Sequence, residues 1–484
     1  MIGRIVLCSL ACACVAFAGD LAPPAGAPGP TMKTLDQVDP RTPIGPATTP
    51  GDGSAAYVIT ESGSYYLTGN VSVSSDVDGI RVDASNVTID LMGFTLQGPG
   101  GAGEYGVACT GGGVVRVRIR NGVVTGWERG IDASSQCVIE DIKAFDCGVG
   151  IRAEDKCFIR NCTALQCFSG VSVGSRCIID CCKARDCEGT GINAASDGIV
   201  RTCVADHNGS SGIAAPTPGL TVDCTANQNM QRGIWFSTGI ALRCSTDGNM
   251  AGGVRATNGS LTKDCAATTN DGFGFEIGNG SQITGCIAAG NAGDGILATD
   301  HSLITGNTVH LNGSGIVGGS DCLVAGNTSS GHPAGFGVRC VDSCRVTDNL
   351  CNDNALGISA IRWATIERNT VAGNFTGIAT GESCRISDNN AEGNTNNGIE
   401  VADSESLIEG NRVSNNLGTG LLIYNQRNLI IRNINRASTQ SYDIAANNRV
   451  GFTIIPPLSG AISGDSDPDA LGAGTTDPWA NFSH

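Results

Sequence analysis

A glycine followed by Ile, Val, Phe or Leu recurs along most of the chain, and a short run of alternating apolar and polar residues follows it each time. The pattern is plainest in residues 150–190, where GIRAEDKCFIRNCTALQCFS is followed directly by GVSVGSRCIIDCCKARDCEGT. After the first two intervals the spacing is always 20 to 22 residues. We call these the marker glycines: Gly79, Gly106, Gly130, Gly150, Gly170, Gly191, Gly212, Gly233, Gly253, Gly274, Gly295, Gly315, Gly337, Gly357, Gly377, Gly398 and Gly420.

A fixed period of this length predicts a solenoid, because one unit buries its apolar side chains only when neighbouring units stack on it. Within a unit the apolar residues alternate, as at Val171 and Val173, which is the period of a strand. Three short strands per unit are therefore predicted. Helices are disfavoured, since 69 glycines in 484 residues would penalise helix interiors heavily. A leucine-rich repeat is also disfavoured, because residues 191–211 contain no Leu.

Cysteine and asparagine occupy fixed positions of successive units, at predicted turns. Stacked Asn side chains bond amide to amide between coils about 4.8 Å apart, so we interpret these rows as structural. One row runs Cys162, Cys182, Cys203, Cys224, Cys244, Cys265 and Cys286, and continues as Asn307, Asn327, Asn349, Asn369, Asn389, Asn411 and Asn433. Another runs Cys147, Cys167 and Cys187, then Asn208, Asn229, Asn249, Asn270, Asn291 and Asn312, with Asn354, Asn374 and Asn394 later.

With these repeats the sequence resembles the secreted bacterial right-handed parallel β-helix proteins of the pectate-lyase-like superfamily, over about residues 57–455. The resemblance implies an all-β fold, a right-handed parallel β-helix solenoid of about 17 coils with three short strands per coil and a cap at each end. It implies much less about function, because that architecture hosts lyases, hydrolases, epimerases, phage depolymerases and non-catalytic surface proteins.

The ends of the chain differ in composition from the repeats. Residues 1–18 have a basic residue, an apolar run and the sequence Ala16-Phe17-Ala18, which predicts an export signal peptide. Residues 19–56 are a Pro/Gly-rich linker, residues 57–455 the capped β-helix, and residues 456–484 an acidic Pro/Gly-rich tail in which Trp479 and Phe482 are candidates to bind the last coils. We expect no transmembrane segment and a secreted, extracellular, cell-surface or periplasmic protein.

The net charge of −16 argues against binding to nucleic acid or to an anionic membrane. A polysaccharide or cell-surface glycan is the partner we expect, and the chain itself is expected to be a monomer. An acidic polysaccharide would be repelled unless Ca²⁺ or a local Arg patch received it. We predict no cofactor, with Ca²⁺ as the one ion that remains open. Asp465, Asp467 and Asp469 alternate in the tail but lack the EF-hand Gly and Glu, so they are interpreted as solvated.

Twenty cysteines lie outside the signal peptide, and two interpretations of them remain open. Export favours disulfides, and stacked coils bring cysteines within disulfide reach. Free cysteines, by contrast, pack as small buried apolar residues, and their replacement by Asn at the same register favours that role. The less regular of the disulfide candidates are Cys181, Cys182, Cys340, Cys344 and Cys351.

No catalytic motif of a polysaccharide lyase, epimerase or glycoside hydrolase is matched, so enzymatic activity is left open. The residue two positions after each marker glycine must face outward, because side chains alternate along a strand. Most residues there are bland, but Trp235, Arg255 and Glu276 follow one another in consecutive coils, with Asp271 and Asp294 in nearby turns. An indole, a guanidinium and carboxylates suit carbohydrate binding. A weaker second candidate pairs Asp132 with Arg152.

Two functions are therefore weighed. Export and the resemblance favour a protein that binds or processes extracellular polysaccharide. The uniform coil lengths favour a non-catalytic structural or adhesive surface protein, because enzymes of this architecture usually carry long loops over their groove. Only residues 79–130, with GPGGAGEY and TGGGVV, have room for an insertion.

Overall fold

The computed structural model describes residues 41–74, 76–100, 103–109, 113–215, 218–451, 453–454 and 479–483. The predicted signal peptide, most of the linker and most of the acidic tail, including Asp465, Asp467 and Asp469, lie outside the described residues. Residues 42–484 form one compact unit. The described part is built of strands and turns, and it contains no helix long and apolar enough to cross a membrane.

Each complete coil contributes three strands, as predicted. The first of them contains or directly follows the marker position, and together these strands form the sheet that we call the marker sheet. Its strands are Ala55–Ile59, Asp78–Val82, Tyr105–Ala108, Arg129–Ala133, Val149–Ala153, Ser169–Val173, Ile192–Ala194, Ile213–Ala215, Arg232–Phe236, Gly252–Ala256, Phe273–Ile277, Asp294–Ala298, Ser314–Gly318, Phe336–Asp342, Leu356–Arg362, Thr376–Glu382, Ile399–Val401, Thr419–Ile423 and Gln440–Ile444.

The second strand of each coil follows the first turn. These strands are Thr42–Pro43, Gly63–Tyr66, Val87–Asp90, Phe158–Arg160, Ile178–Asp180, Ile199–Arg201, Gly219–Val222, Gly239–Leu242, Leu261–Lys263, Gln282–Thr284, Leu303–Thr305, Leu323–Ala325, Arg345–Thr347, Thr365–Glu367, Arg385–Ser387, Leu407–Glu409, Leu429–Ile431 and Arg449–Val450.

The third strands complete the coils. Two longer strands, Arg118–Thr125 and Val138–Phe145, run through both the second and the third positions. The third strands are Val71–Ser72, Thr95–Gln97, Thr163–Leu165, Lys183–Arg185, Val204–Asp206, Thr225–Asn227, Ser245–Asp247, Ala266–Thr268, Ile287–Ala289, Thr308–His310, Thr328–Ser330, Leu350–Asn352, Thr370–Ala372, Asn390–Glu392, Arg412–Ser414, Ile434–Arg436 and Asn481–Ser483, with Thr453–Ile454 paired to the last.

Every one of these strands pairs in parallel with its equivalent in the next coil, so the fold is the right-handed parallel β-helix that the sequence predicted. The marker sheet has 19 strands, and the solenoid therefore has about 19 turns rather than 17. The two additional coils lie at the ends. There Ala56 and Ser441 occupy the marker position, as their register with Gly79 and Gly420 shows, so a search for glycine misses them.

The core runs along the axis of the solenoid. The residue after each marker glycine is at most 2% exposed, which confirms that this position points inward. The glycine itself is required by close approach of the coils. A Cβ on Gly150 would lie 2.8 Å from the carbonyl oxygen of Gly170 and 3.0 Å from the Cβ of Ala164.

The corner between the second and third strands explains the row of cysteines and asparagines. The residue before each of them has left-handed backbone, as at Asn161 (φ 53°) and Asp348 (φ 56°), and this turns the chain. The following side chain then points inward, and the coil before it donates a backbone N–H to that side chain. We call the resulting vertical series of hydrogen bonds the corner column.

The corner column is continuous across the change from Cys to Asn, as predicted. The N–H of Cys182 donates to Sγ of Cys203 over 3.4 Å, and the N–H of Cys286 donates to Oδ1 of Asn307 over 2.9 Å. Cys203 Sγ donates to the Ile179 carbonyl over 3.6 Å, a role that Nδ2 takes in the asparagine coils. Thiol and amide therefore serve the same backbone groups, the amide over shorter distances.

A second column follows the third strands, where Cys187 N–H donates to Asn208 Oδ1 over 3.2 Å. A third column, which the sequence reasoning missed, precedes the second strands. Its residues are Cys, Ser and Asn: Cys137, Cys157, Cys177, Ser260, Ser281, Ser302, Cys322, Cys344, Cys384, Ser406, Asn428 and Asn448.

The twenty described cysteines are free thiols, and all but Cys181 are buried. The stacked thiols are therefore hydrogen-bonded packing residues rather than disulfides. Cys344, expected to be irregular, belongs to the third column, and Cys340 and Cys351 lie in the apolar core. Burial raises the pKa of Cys351 to about 12, so this thiol stays protonated.

His332 occupies a place in the second column that Asn holds in neighbouring coils. Asn312 N–H donates to its Nδ1 over 3.1 Å, and its own N–H donates to Asn354 Oδ1 over 3.1 Å. The residue is fully buried, and its Nε2 has no hydrogen-bond partner among the described residues. Burial lowers the pKa of His332 from its ordinary 6.5.

Replacing Asn369, in the middle of the corner column, by Ala is expected to lower the free energy of unfolding by about 1 to 3 kcal/mol. The buried N–H of Asn349 and the Val346 carbonyl both lose a partner. Urea unfolding followed by circular dichroism measures this. The control is Asn279→Ala, an exposed Asn whose side chain makes no described hydrogen bond. Equal losses for the two variants would contradict a stabilising column.

His332 is expected to make stability fall at acidic pH. Its neutral form is favoured in the folded chain, so below pH 6.5 the unfolded chain binds a proton that the folded chain does not, and stability is lost as pH falls. His332→Asn restores the amide of the neighbouring coils. The difference in unfolding free energy between wild type and variant should therefore change between pH 7.5 and pH 5. A difference independent of pH would show that His332 is not responsible.

Candidate functional site

The outward face of the marker sheet carries the residues predicted to form a site. Trp235, Arg255 and Glu276 stand in register in three consecutive coils, as predicted. Trp235 lies between the buried Ile234 and Phe236, so its indole faces outward, where it is partly exposed. The sheet thus brings these three residues together.

An ion-pair cluster occupies this part of the face. Arg255 Nε lies 3.4 Å from Glu276 Oε2, and Arg232, which the sequence reasoning missed, places Nη2 3.9 Å from the same oxygen. Burial, and secondly the charge of Arg255, lowers the pKa of Arg232. The gap among these residues has no room for a water molecule. The three charged side chains remain 29 to 36% exposed, so they are accessible at the surface but enclose no cavity.

The two nearby aspartates do not join this cluster. Asp271 lies in an exposed turn. Asp294 begins the next marker strand, in register with Ser314. Burial raises the pKa of Asp294, and Ser314 and Arg339 partly offset this effect. The three predicted carboxylates, Glu276, Asp271 and Asp294, therefore do not form one cluster.

The second predicted pair, Asp132 and Arg152, is held by shorter hydrogen bonds and its carboxylate is more buried. Asp132 is 2% exposed, and its Oδ1 accepts a hydrogen bond from Arg152 Nη1 over 2.7 Å. Its Oδ2 accepts one from Arg129 Nη1 over 2.9 Å. The Arg129 guanidinium in turn lies 4.9 Å from the centre of the Tyr105 ring. A buried carboxylate thus fixes two cations on the outward face.

A groove adjoins this pair, formed by two pockets that share Ser135, Arg152 and Glu154. The first has a volume of about 250 Å³, and the second about 350 Å³. Residues 113–115 form a wall of the first pocket, within the stretch where the sequence left room for an insertion. Ser172 lies in the second pocket. We call this the serine groove, after its lining hydroxyls: Ser134, Ser135 and Ser172.

Sequence reasoning found one outward column and missed two. Arg129 and Arg232 stand immediately before a marker glycine, while Ser134 and Glu154 stand four residues after one. Alternation along the strand turns Ser134 and Glu154 outward, whereas Arg129 and Arg232 are partly exposed because the buried glycine and the buried residue after it interrupt that alternation. Reading all three positions would have placed Arg129 beside Asp132 and Arg232 beside Trp235.

The geometry favours binding over chemistry at both candidates. Asp132 has both oxygens engaged by guanidinium groups, and Glu276 faces two cations. Asp132 is a poor candidate for a general base, because guanidinium hydrogen bonds already occupy both of its oxygens. The serine groove instead presents hydroxyl groups, a guanidinium and a carboxylate.

Two family models match the chain. The model of the right handed beta helix region matches residues 105–263 and 244–385, together more than half of the chain. The model described as periplasmic copper-binding protein (NosD) matches residues 318–454. Among the described residues no group of three or more His, Cys, Asp or Glu is placed to hold a metal ion. No curated protein matches.

Solved structures similar to the chain include the A-module of mannuronan C-5 epimerase AlgE4 from Azotobacter vinelandii, with 13% identity, 66% of this chain and 88% of that chain covered, and a TM-score of 0.28. The Dettilon tailspike protein (gp208) shows 13% identity, 71% and 61% coverage, and a TM-score of 0.23. PfbA, a surface adhesin of Streptococcus pneumoniae, shows 10% identity, 71% and 84% coverage, and a TM-score of 0.22. At these TM-scores the likenesses carry no weight for function.

The two clusters should respond differently to truncation. Asp132→Ala leaves Arg129 and Arg152 without their buried partner and should cost about 1 to 3 kcal/mol of unfolding free energy. Glu276→Ala removes a longer ion pair whose side chains are 29% and 36% exposed, and should cost less than about 1 kcal/mol. Urea unfolding of both variants checks this order. A larger loss for Glu276→Ala would mean that the second cluster is the structural one.

Proposed function

The chain belongs to the right-handed β-helix family, and we propose that it is an exported protein that binds an extracellular polysaccharide or cell-surface glycan on the outward face of its marker sheet. The observation that carries this proposal is the serine groove beside the fixed Asp132 and Arg152 pair. Export rests on the predicted signal peptide.

The serine groove has the chemistry of a carbohydrate site. Its two pockets lie side by side along the solenoid axis, so successive sugars of a chain would lie across successive coils. Arg152 is 40% exposed at its side chain, and its Nη1 is fixed by Asp132, so the guanidinium is held in one place at little further entropy cost on binding. Glu154 accepts hydrogen bonds from sugar hydroxyl groups.

Binding without chemistry is the form of this function that the side chains support best. The carboxylates at both candidate positions are engaged by arginines, as described above. A lyase, epimerase or hydrolase would need one of them free. Binding of an acidic polysaccharide would require a bridging Ca²⁺, because the net charge of −16 would otherwise repel the polysaccharide.

The second candidate function is that of a non-catalytic structural or adhesive surface protein. The uniform coils favour it, because outside residues 79–130 no interval between marker glycines exceeds 22 residues and no long loop stands over the marker sheet of the described coils. The two functions differ in whether the protein recognises a glycan at all.

A glycan array with and without Ca²⁺ tests the proposal, with variants that fill the groove. Ser172→Trp places an indole in the serine groove, while Ser359→Trp places one at the same outward position of a distant coil. We expect wild type and Ser359→Trp to bind the same glycans, and Ser172→Trp to bind at least about tenfold more weakly. Trp235→Ala tests the other cluster in the same assay and should leave thermal stability unchanged.

Glycan binding by none of the proteins, with or without Ca²⁺, would favour the structural function. Binding that Ser172→Trp leaves intact and Trp235→Ala abolishes would move the site to the ion-pair cluster. Formation of unsaturated uronates from bound polysaccharide would show chemistry and overturn the assignment of binding alone.

A further inference from the structure

The end of the solenoid is closed by residues that are distant in sequence. The strand Asn481–Ser483 pairs in parallel with the last third strand, Ile434–Arg436, and with Thr453–Ile454. Residues 455–480 separate it from Thr453–Ile454 along the chain. This confirms the expectation that the tail residues Trp479 and Phe482 bind the last coils.

Asn481 is the last member of the corner column. Its Oδ1 accepts hydrogen bonds from the N–H and Nδ2 of Asn433, over 3.0 and 3.3 Å. Its Nδ2 donates to the carbonyls of Ile430 and Gly451, over 3.1 and 3.0 Å. The residue is fully buried. The tail thus supplies the Asn that a further coil would otherwise provide.

The backbone of the tail is also recognised. Phe482 N–H donates to the Asn433 carbonyl over 2.8 Å, and Tyr442 donates its hydroxyl to the Phe482 carbonyl over 2.8 Å. The Arg432 guanidinium lies 4.5 Å from the centre of the Trp479 ring. Gly451 admits this backbone, because a Cβ there would lie 2.1 Å from the Trp479 carbonyl oxygen.

These contacts have the character of a peptide complex. A strand added to a sheet edge gains affinity from backbone hydrogen bonds and specificity from side-chain pockets. All contacts named above lie within Trp479–Ser483 on one side and residues 430–454 on the other. The 24 residues of 455–478 span up to about 80 Å when extended, which is long enough for the tail to reach a neighbouring molecule.

We propose that the C-terminal end of the solenoid is a peptide-binding site for an extended segment that carries Asn between two aromatic residues. The chain fills it with its own Trp479–Ser483, and the same site accepts the tail of a second copy. An unfilled end leaves the Asn433 N–H without its buried acceptor and exposes a strand edge, so the site favours being occupied. Tail exchange then links two copies.

Complementary full-length variants test this. Asn481→Ala weakens the tail and leaves the site intact, whereas Gly451→Ala blocks the site and leaves the tail intact. Alone, each variant should sediment as the wild type does. Mixed, they should form a one-to-one heterodimer in sedimentation velocity, because the intact tail of one fills the intact site of the other. Circular dichroism of each variant controls for folding.

A labelled peptide of the sequence DPWANFSH supplies the second measurement, by fluorescence anisotropy. Asn481→Ala should bind it at least about tenfold more tightly than wild type, whose own tail competes at high effective concentration. The double variant Gly451→Ala/Asn481→Ala, and a peptide with Ala in place of the central Asn, should show no binding. The proposal would be overturned if Asn481→Ala bound no peptide. It would also be overturned if no heterodimer formed and Gly451→Ala did not affect peptide binding.

Discussion

The rest of the structure depends on hydrogen bonding between coils at the corners of the solenoid. Strand pairing satisfies the straight segments, but each corner turns on a left-handed residue that pairs with no strand. The inward side chain after it bonds to the coils above and below. Cys and Asn both do this, and so the chain changes from one to the other without interrupting the corner column. In the second column His332 takes the place of Asn and keeps the hydrogen bond from Asn312, but its buried Nε2 has no hydrogen-bond partner among the described residues.

The fold could be predicted from the sequence because the same structural requirements recur in every coil. Each coil requires a marker glycine because neighbouring coils approach closely there, and each requires an apolar residue after it because that side chain is buried. The sequence therefore predicted both the period of the repeat and the inward-facing positions of the strands. The two end coils could not be recognised from the sequence, because Ala56 and Ser441 occupy the position that glycine holds in the other coils. The third column was missed because Cys, Ser and Asn share its hydrogen bonds, and no single residue type records it.

The candidate site was predicted only in part, for a related reason. Packing does not impose a sequence pattern on the outward residues of a solenoid. The sequence analysis therefore considered one outward column and missed the adjacent columns. Asp132 and Arg152 were named, but Arg129, which shares the carboxylate, and the hydroxyls of the serine groove were not. A groove forms where small side chains lie between larger ones in three adjacent columns. Its shape therefore depends on several coils together and cannot be read from the sequence of one coil.

The equivalence of thiol and amide in the corner column is the claim on which this account rests. It is tested most directly by comparing Cys244→Asn with Cys244→Ala in urea unfolding, because Cys244 is one of seven cysteines in the corner column and stands between Cys224 and Cys265. The account predicts that Cys244→Asn is at least as stable as wild type and that Cys244→Ala is less stable. If Asn destabilises the chain as much as Ala does, the column is held by apolar packing and not by hydrogen bonds.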